Sequence, residues 1–175
     1  VVRTWPVFTH GRTPHIDLSQ WTFSVSGLVE EERVFTWEEF TSLPQVTVVS
    51  DIHCVTHWSR LDNQWEGVAA REVVSLARPR PQARFVMVHC YGGYTTNLRL
   101  ENLLEDDALF ALKHDGQPLS AEHGGPLRLV VPKLYFWKSA KWVRGLAFMD
   151  RERPGFWEMY GYHLRGDPWK EERYS

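Results

Sequence analysis

Cysteine is scarce in this sequence: Cys54 and Cys90 are the only two among 175 residues. Two cysteines cannot build the framework that staples a small secreted domain, and neither belongs to a CxxC pair. One disulfide between them is compatible with the chain, but the composition does not ask for it. An excess of charge of one sign is also missing. Twenty Lys and Arg against 22 Asp and Glu leave a formal charge of −2, which gives no global electrostatic case for nucleic acid. No apolar run is long enough to cross a bilayer and no secretory signal is visible. The expectation is therefore no membrane span and a cytoplasmic location, for a chain that starts at Val1 and is compatible with an upstream segment. Internal repeats, heptads and low-complexity blocks are absent too, which excludes solenoids and coiled coils.

What is present suits an ordinary soluble globular protein, with 43% hydrophobic and 24% charged residues. The length predicts one domain over residues 1–175, burying roughly 70% of its unfolded surface. Aromatic residues reach 14%, with nine tryptophans. Core filling is expected for most of these, although large flat side chains also line cofactor sites.

Local patterns predict many short strands and a few short helices. Trp21 to Gly27 alternates apolar and polar residues, as a half-buried strand does. Thr36-Trp37-Glu38-Glu39 fits a capping box, opening a helix that ends before Pro44. Val46 to Ile52 reads as a buried strand delivering Cys54 to a polar, Trp-bearing loop. Val68 to Ala77 has helical spacing and stops before Pro79. Phe85 to Val88, Leu109 to Lys113, Leu127 to Val131 and Trp142 to Met149 read as further strands, with a turn at Asp115-Gly116. Leu98 to Asp107 reads as a short helix or turn, and Gly161 to Ser175 as a tail wrapping the surface. This mixture indicates an α+β or mostly-β domain.

Three stretches carry chemistry. The first is Asp51-Ile52-His53-Cys54-Val55-Thr56, which puts a soft thiol at a strand end; an inert buried thiol is the alternative there. In the second, His123-Gly124-Gly125-Pro126-Leu127-Arg128, the glycines allow close backbone approach and Arg128 offers a planar fork for an anion. A tight turn with Arg128 facing solvent accounts for it as well, since alternation says only that Arg128 shares a face with Val130. The third, Lys138-Ser139-Ala140-Lys141, combines a hydroxyl, backbone N–H groups and ammoniums as an anion nest does, or as a basic surface loop does. A thiolate selects thiophilic metals and the cations neutralise phosphate, so the set suits a metal cofactor that is also an anion. Zinc held by His53, His57, His89, Cys54 and Cys90 is disfavoured by spacing, because adjacent His-Cys residues on a strand point to opposite faces. A Cys54/His57 nucleophile pair lacks an accompanying oxyanion-hole motif.

These three stretches, in this order, resemble the molybdopterin-binding domain of the sulfite oxidase family, in particular its short bacterial oxidoreductases. The resemblance runs from Val7-Phe8-Thr9-His10-Gly11 to Gly166-Asp167-Pro168-Trp169 and beyond. It implies the layered, mixed β-sheet molybdopterin-binding fold with short helices. It also implies a molybdenum-molybdopterin cofactor with Cys54 as the metal's thiolate ligand. By the same resemblance His10, His123, Arg128, Ser139, Ala140 and Lys141 hold the pterin and its phosphate, with Lys138 in the same loop; the sequence also places Thr95 and Thr96 in a loop, Gly92 to Thr96, that could touch the pterin. His57, Trp58 and Tyr162, with Tyr160 as a substitute, are the substrate-side candidates.

The departures bear on the substrate. The family's sulfite oxidases carry arginines near the metal, whereas Phe8 stands two before His10 and Arg60 falls one residue late. A pocket of Phe8, His57, Trp58 and Tyr135 or Phe136 would be less cationic than a sulfite site. The expectation is an oxidoreductase transferring an oxygen atom to or from a small S- or N-oxide, using a separate electron-transfer partner. Sulfite oxidation, a non-catalytic cofactor-binding module and a structural β-rich domain are the alternatives. Oligomeric state is open.

Overall fold

The alternating segment at Trp21 becomes strand β1 (Thr22–Gly27), with Phe23 and Val25 turned inward. The structure, a computed structural model, describes residues 1–7 and 11–174. Strand β2 (Arg33–Thr36) pairs antiparallel with β1 and leads into helix α1 (Trp37–Thr41). The capping box forms as expected: the Glu39 N–H donates to Thr36 Oγ1 and the Thr36 N–H to Glu39 Oε1, both at 3.2 Å.

Next come β3 (Gln45–His53), β4 (Ser59–Ala69), α2 (Ala70–Ala77), β5 (Phe85–Cys90), β6 (Thr95–Arg99) and α3 (Leu100–Leu103). Strands β7 (Leu109–His114), β8 (Gln117–Pro118), β9 (Arg128–Val130) and β10 (Val143–Met149) follow, then helix α4 (Phe156–Met159). One sheet runs β2-β1-β10-β5-β6, with β1 and β10 parallel and the other pairs antiparallel. The second runs β3-β4-β7-β8, with β9 also on β7, and is antiparallel throughout. This is the expected layered α+β arrangement with short helices.

The main core lies between the sheets. Phe23 of β1 meets Phe110 of β7 edge to face at 5.3 Å, and Phe40 of α1 joins them, the geometry that ring quadrupoles favour. The second sheet is also covered on its other face, where Ile52, Trp65, Leu109, Ala111 and Val130 form a smaller cluster. Two-residue alternation through β9 therefore sends Leu127, Leu129 and Val131 to the main core and Arg128 and Val130 to the other side.

Several expectations need correction. Strand β3 exists but is an edge strand with much of its length exposed, including Val49; β-branched residues favour extended backbone without dictating burial. The polar, Trp-bearing loop after Cys54 is a short turn through Trp58, and β4, the 11-residue centre of the second sheet, follows at once. Its charged residues alternate with buried ones such as Trp65. Val68 and Ala69 close β4 rather than open α2, which ends at Arg78 in the left-handed region (φ 51°) just before Pro79. Thr95 and Thr96 begin β6 and lie in no loop.

Phe110 is fully buried between the sheets. Phe110→Ala is expected to cost about 3–5 kcal/mol, the usual range for emptying an aromatic core site. Urea unfolding should show it as a lowered midpoint with little change in slope.

Candidate active site

Cys54 sits immediately after β3, in the turn that reverses the chain into β4. Its N–H donates to the Trp58 carbonyl at 2.8 Å, and its carbonyl accepts from the His57 N–H at 3.1 Å. His57 takes a left-handed φ of 69° to close this turn. The thiol is half-buried, with Sγ 3.0 Å from Thr56 Oγ1.

Across a cavity of about 340 Å³ from this turn stand the other two chemistry-bearing stretches. Arg128, 2% exposed, is carried there by β9. Its guanidinium donates to the His123 carbonyl at 2.8 Å and to the Ser139 carbonyl, and lies over the Phe136 ring at 4.3 Å. One side chain thus fastens both loops. Ser139 Oγ accepts the Val131 N–H at 2.9 Å, and Lys141 Nζ donates to the Glu122 carbonyl at 2.8 Å. Gly124 has a left-handed φ of 104°, and a Cβ there would come within 2.8 Å of Lys141 Cγ and 3.1 Å of Arg128 Cβ. A Cβ on Gly125 would meet the Leu119 carbonyl oxygen at 2.3 Å. Gly124 thus lets both cationic side chains pass over this turn, while Gly125 lets the turn pack against the Leu119 and Ser120 carbonyls.

Burial and crowding of like charge set the protonation here. Burial, then the charges of Arg128 and Lys141, lowers His123 to about 4. Burial, then Arg128, lowers Lys141 to about 8. Burial brings Arg128 down to about 9. His123 is therefore neutral at pH 7. Its Nε2 lies 3.3 Å from the Trp5 carbonyl, an acceptor only, which fixes the imidazole proton on Nε2.

Among the described residues no Asp or Glu lines the cavity. Mutually repelling cations without a carboxylate, beside a glycine cradle, are built for an anion. Among the described residues no three His, Cys, Asp or Glu side chains gather as a metal site. A metal at Cys54 would have to bring its remaining donors with it. The donor set therefore fits an anionic cofactor that carries a thiophilic metal.

The cavity brings together Cys54, Trp58, His123, Arg128, Ser139, Ala140, Lys141 and Tyr162. It does not bring in four other expected residues. His57 is exposed, because its left-handed turn geometry directs it away. Lys138 is 0% exposed and faces inward; Nζ donates to Asn97 O at 2.8 Å, Asn97 Oδ1 at 2.9 Å and Leu164 O at 2.6 Å, and lies 3.5 Å from Glu158 Oε1. Thr96 is buried in the same polar knot, its hydroxyl donating to Glu158 Oε1 at 3.1 Å. Thr95, its neighbour on β6, points to the opposite face of the sheet. His10 and Phe8 lie outside the described residues. Tyr160 is exposed, Tyr135 packs under Arg173, and Arg60 is committed to Asp115 at 2.8 Å.

Sequence reasoning missed Trp5, Tyr94, Trp137, Trp142 and Trp157 as lining residues. Core filling holds for Trp21, Trp37 and Trp65, but five of the nine (Trp5, Trp58, Trp137, Trp142 and Trp157) line this cavity, with Trp5, Trp58 and Trp142 also packed into core. A signal existed only for Trp137 and Trp142, which flank the Lys138-Ser139-Ala140-Lys141 run.

Residues 10–157 match the family model described as the oxidoreductase molybdopterin binding domain. The chain belongs to this family. Members bind molybdopterin and act as oxidoreductases, in accord with the thiol and cationic cradle. An uncharacterized oxidoreductase of Bacillus subtilis, YuiH, is 46% identical over all of the chain and 89% of its own length. A putative protein-methionine-sulfoxide reductase subunit of Azospira oryzae, YedZ1, is 30% identical over 86% of the chain, which spans 57% of that relative. The sulfane dehydrogenase SoxCD of Paracoccus pantotrophus shares the fold at a TM-score of 0.73 and 23% identity, over 81% of the chain and 41% of SoxCD. The molybdopterin-binding fold of this chain is thus established by sequence and architecture together.

Because His123 titrates lower in the folded apoprotein than its ordinary value of 6.5, the unfolded chain binds more protons between pH 6.5 and about 4. The stability that depends on neutral His123 should be complete above pH 6.5 and fall as pH drops toward 4. His123→Gln should flatten that part of the apoprotein's stability–pH curve; an unchanged slope in urea titrations would contradict the assignment.

Proposed function

We propose that this oxidoreductase reduces a neutral S-oxide or N-oxide by oxygen-atom transfer. For a sulfoxide the balance is R₂SO + 2 H⁺ + 2 e⁻ → R₂S + H₂O, with electrons from a separate electron-transfer partner. The observation that carries this reading is the uncharged, aromatic surround of Cys54. Val55, Thr56, Trp58, Trp157 and Tyr162 line that end, and the cavity's cations belong to the two loops fastened by Arg128. Arg173 comes near, but it donates to the Val55 carbonyl at 2.5 Å, stacks on Tyr135 and does not line the cavity. Among the described residues a sulfite dianion would find no arginine pair there. The name of the Azospira relative, a putative methionine-sulfoxide reductase subunit, supports the same direction. No helix among the described residues is long and apolar enough to cross a membrane.

In this reading Cys54 is the protein's thiolate ligand to molybdenum, held deprotonated when the metal is bound. His123, Arg128, Ser139, Ala140 and Lys141 hold the pterin and its phosphate, with His10 a further contact by family resemblance. The bound cofactor supplies the two-electron oxygen-atom chemistry. The chain's own part is to position the cofactor, exclude water with its tryptophans and present a proton. Tyr162 suits the last task. Burial, then Tyr174 and Cys54, raises its phenol above the usual range, so Oη keeps its proton at neutral pH.

Protein from a cofactor-competent host should contain close to one molybdenum per chain and reduce sulfoxides or N-oxides with a reduced dye as donor. Cys54→Ser should lower turnover by more than roughly 100-fold, beyond the loss typical of supporting residues around a metal. Efficient sulfite oxidation, with no reduction of any oxide, would refute the proposal.

A further inference from the structure

The first sheet turns Phe23, Val25, Val88 and Leu146 toward the main core. Two-residue alternation leaves Ser24, Ser26 and His89 on its outer face, where they line a groove of about 390 Å³. Strand register sets Ser24, Gly145, His89 and Thr95 in one row across β1, β10, β5 and β6. With strands about 4.8 Å apart, Ser24 and His89 stand roughly 10 Å from each other, on either side of a residue that has no side chain. Between Val143, paired with Cys90, and Gly145, paired with His89, β10 bulges by one residue, and that residue is Arg144. A bulge re-aims the side chain it carries, and Arg144 lines the same groove. Its guanidinium lies over the Tyr91 ring at 5.0 Å, and Tyr91 is fastened to the start of β1, its Oη accepting the Thr22 N–H at 3.0 Å.

Five side chains able to donate hydrogen bonds therefore meet here: Ser24, Ser26, His89, Thr95 and Arg144. None of them hydrogen-bonds to another group among the described residues, and among those residues no Asp or Glu lines the groove. Partial burial, then the charge of Arg144, holds His89 below its ordinary value, as expected where a cation has no acid beside it.

We propose that this groove binds the phosphate group of a small molecule, seated over Gly145 between Ser24 and His89 and gripped by the Arg144 fork. One guanidinium, three hydroxyls and an imidazole suit a tetrahedral oxyanion, which offers more acceptor oxygens than a carboxylate does. The volume is that of a small-molecule site and leaves room for the rest of a phosphate ester. The groove is distinct from the cradle of Arg128 and Lys141, because Tyr94 is the one residue common to the two linings. It does not depend on the oxide-reduction reading.

Holoenzyme is the material for the test, since bound cofactor fills the cradle that would otherwise take the probe. Inorganic phosphate, glycerol 3-phosphate, acetate and chloride are titrated at constant ionic strength while the amide resonances of Thr95 and Gly145 are followed by NMR. Phosphate and its ester should shift both resonances saturably. Arg144→Gln should raise the dissociation constant by about tenfold or more, the worth of a charge-assisted contact, and Arg144→Lys should recover part of that loss. Arg144 is exposed, so neither change disturbs the core. Ser24→Ala should raise the constant by about threefold, the worth of one neutral hydrogen bond. Tighter binding of the ester supports a phosphorylated metabolite as the ligand, and equal binding supports free phosphate. Shifts no larger than those caused by chloride would overturn the proposal, as would acetate binding as tightly as phosphate or unchanged affinity in Arg144→Gln. Molybdenum per chain should match wild type in Arg144→Gln; its loss would assign Arg144 to the cofactor and overturn the separate site.

Discussion

Arg128 places a cation inside the protein and makes it useful. A buried guanidinium is costly unless its donors are satisfied, and here two backbone carbonyls from different loops, at His123 and Ser139, satisfy it. The same bonds bring the His123-Gly124-Gly125 turn against the Ser139-Ala140-Lys141 loop, and the aromatic rings of Phe136 and Trp5 lie beneath the charge. Removing the cation would leave two loops without their common fastener. Keeping it leaves Lys141 and His123 beside a positive charge they would rather avoid. The site is therefore frustrated in the absence of an anion, as pre-organised binding sites commonly are.

Much of this was legible in the sequence, and particular residues show why. The Thr36–Glu39 box is purely local, so it could be read directly and formed as expected. Cys54 at a strand end and Arg128 sharing a face with Val130 followed from chain order and two-residue alternation. Alternation cannot say whether a face meets solvent or protein. The second hydrophobic cluster decided that for Arg128, and it depends on strands far away in the sequence.

The misreadings share one cause. Lys138 and Lys141 look alike in a basic run, yet one sits 0% exposed against Glu158 and the other reaches the cavity. Only the 20-residue excursion that returns Glu158 to β6 distinguishes them. Strand β3 was expected to be buried because it is β-branched, but its neighbours in the sheet order leave it on an edge. The tryptophans looked like core because tryptophan usually is; their place around the cavity depends on the tail closing over it. Local chemistry was visible, and partners distant along the chain were not.

The turn Phe136–Lys138 and the residue after it face three ways in succession. Trp137 lines the cavity, Lys138 is buried against Glu158, and Ser139 lines the cavity beside Arg128. A substitution at any one position disturbs one of these duties. An inserted or deleted residue would rotate all three at once, handing the charge to the cavity and the ring to Glu158. The spacing of these residues, more than any one of their side chains, is what the structure requires of this stretch. The tail beyond α4 is held to the same register, because the carbonyl of Leu164 accepts from both Lys138 and Asn97.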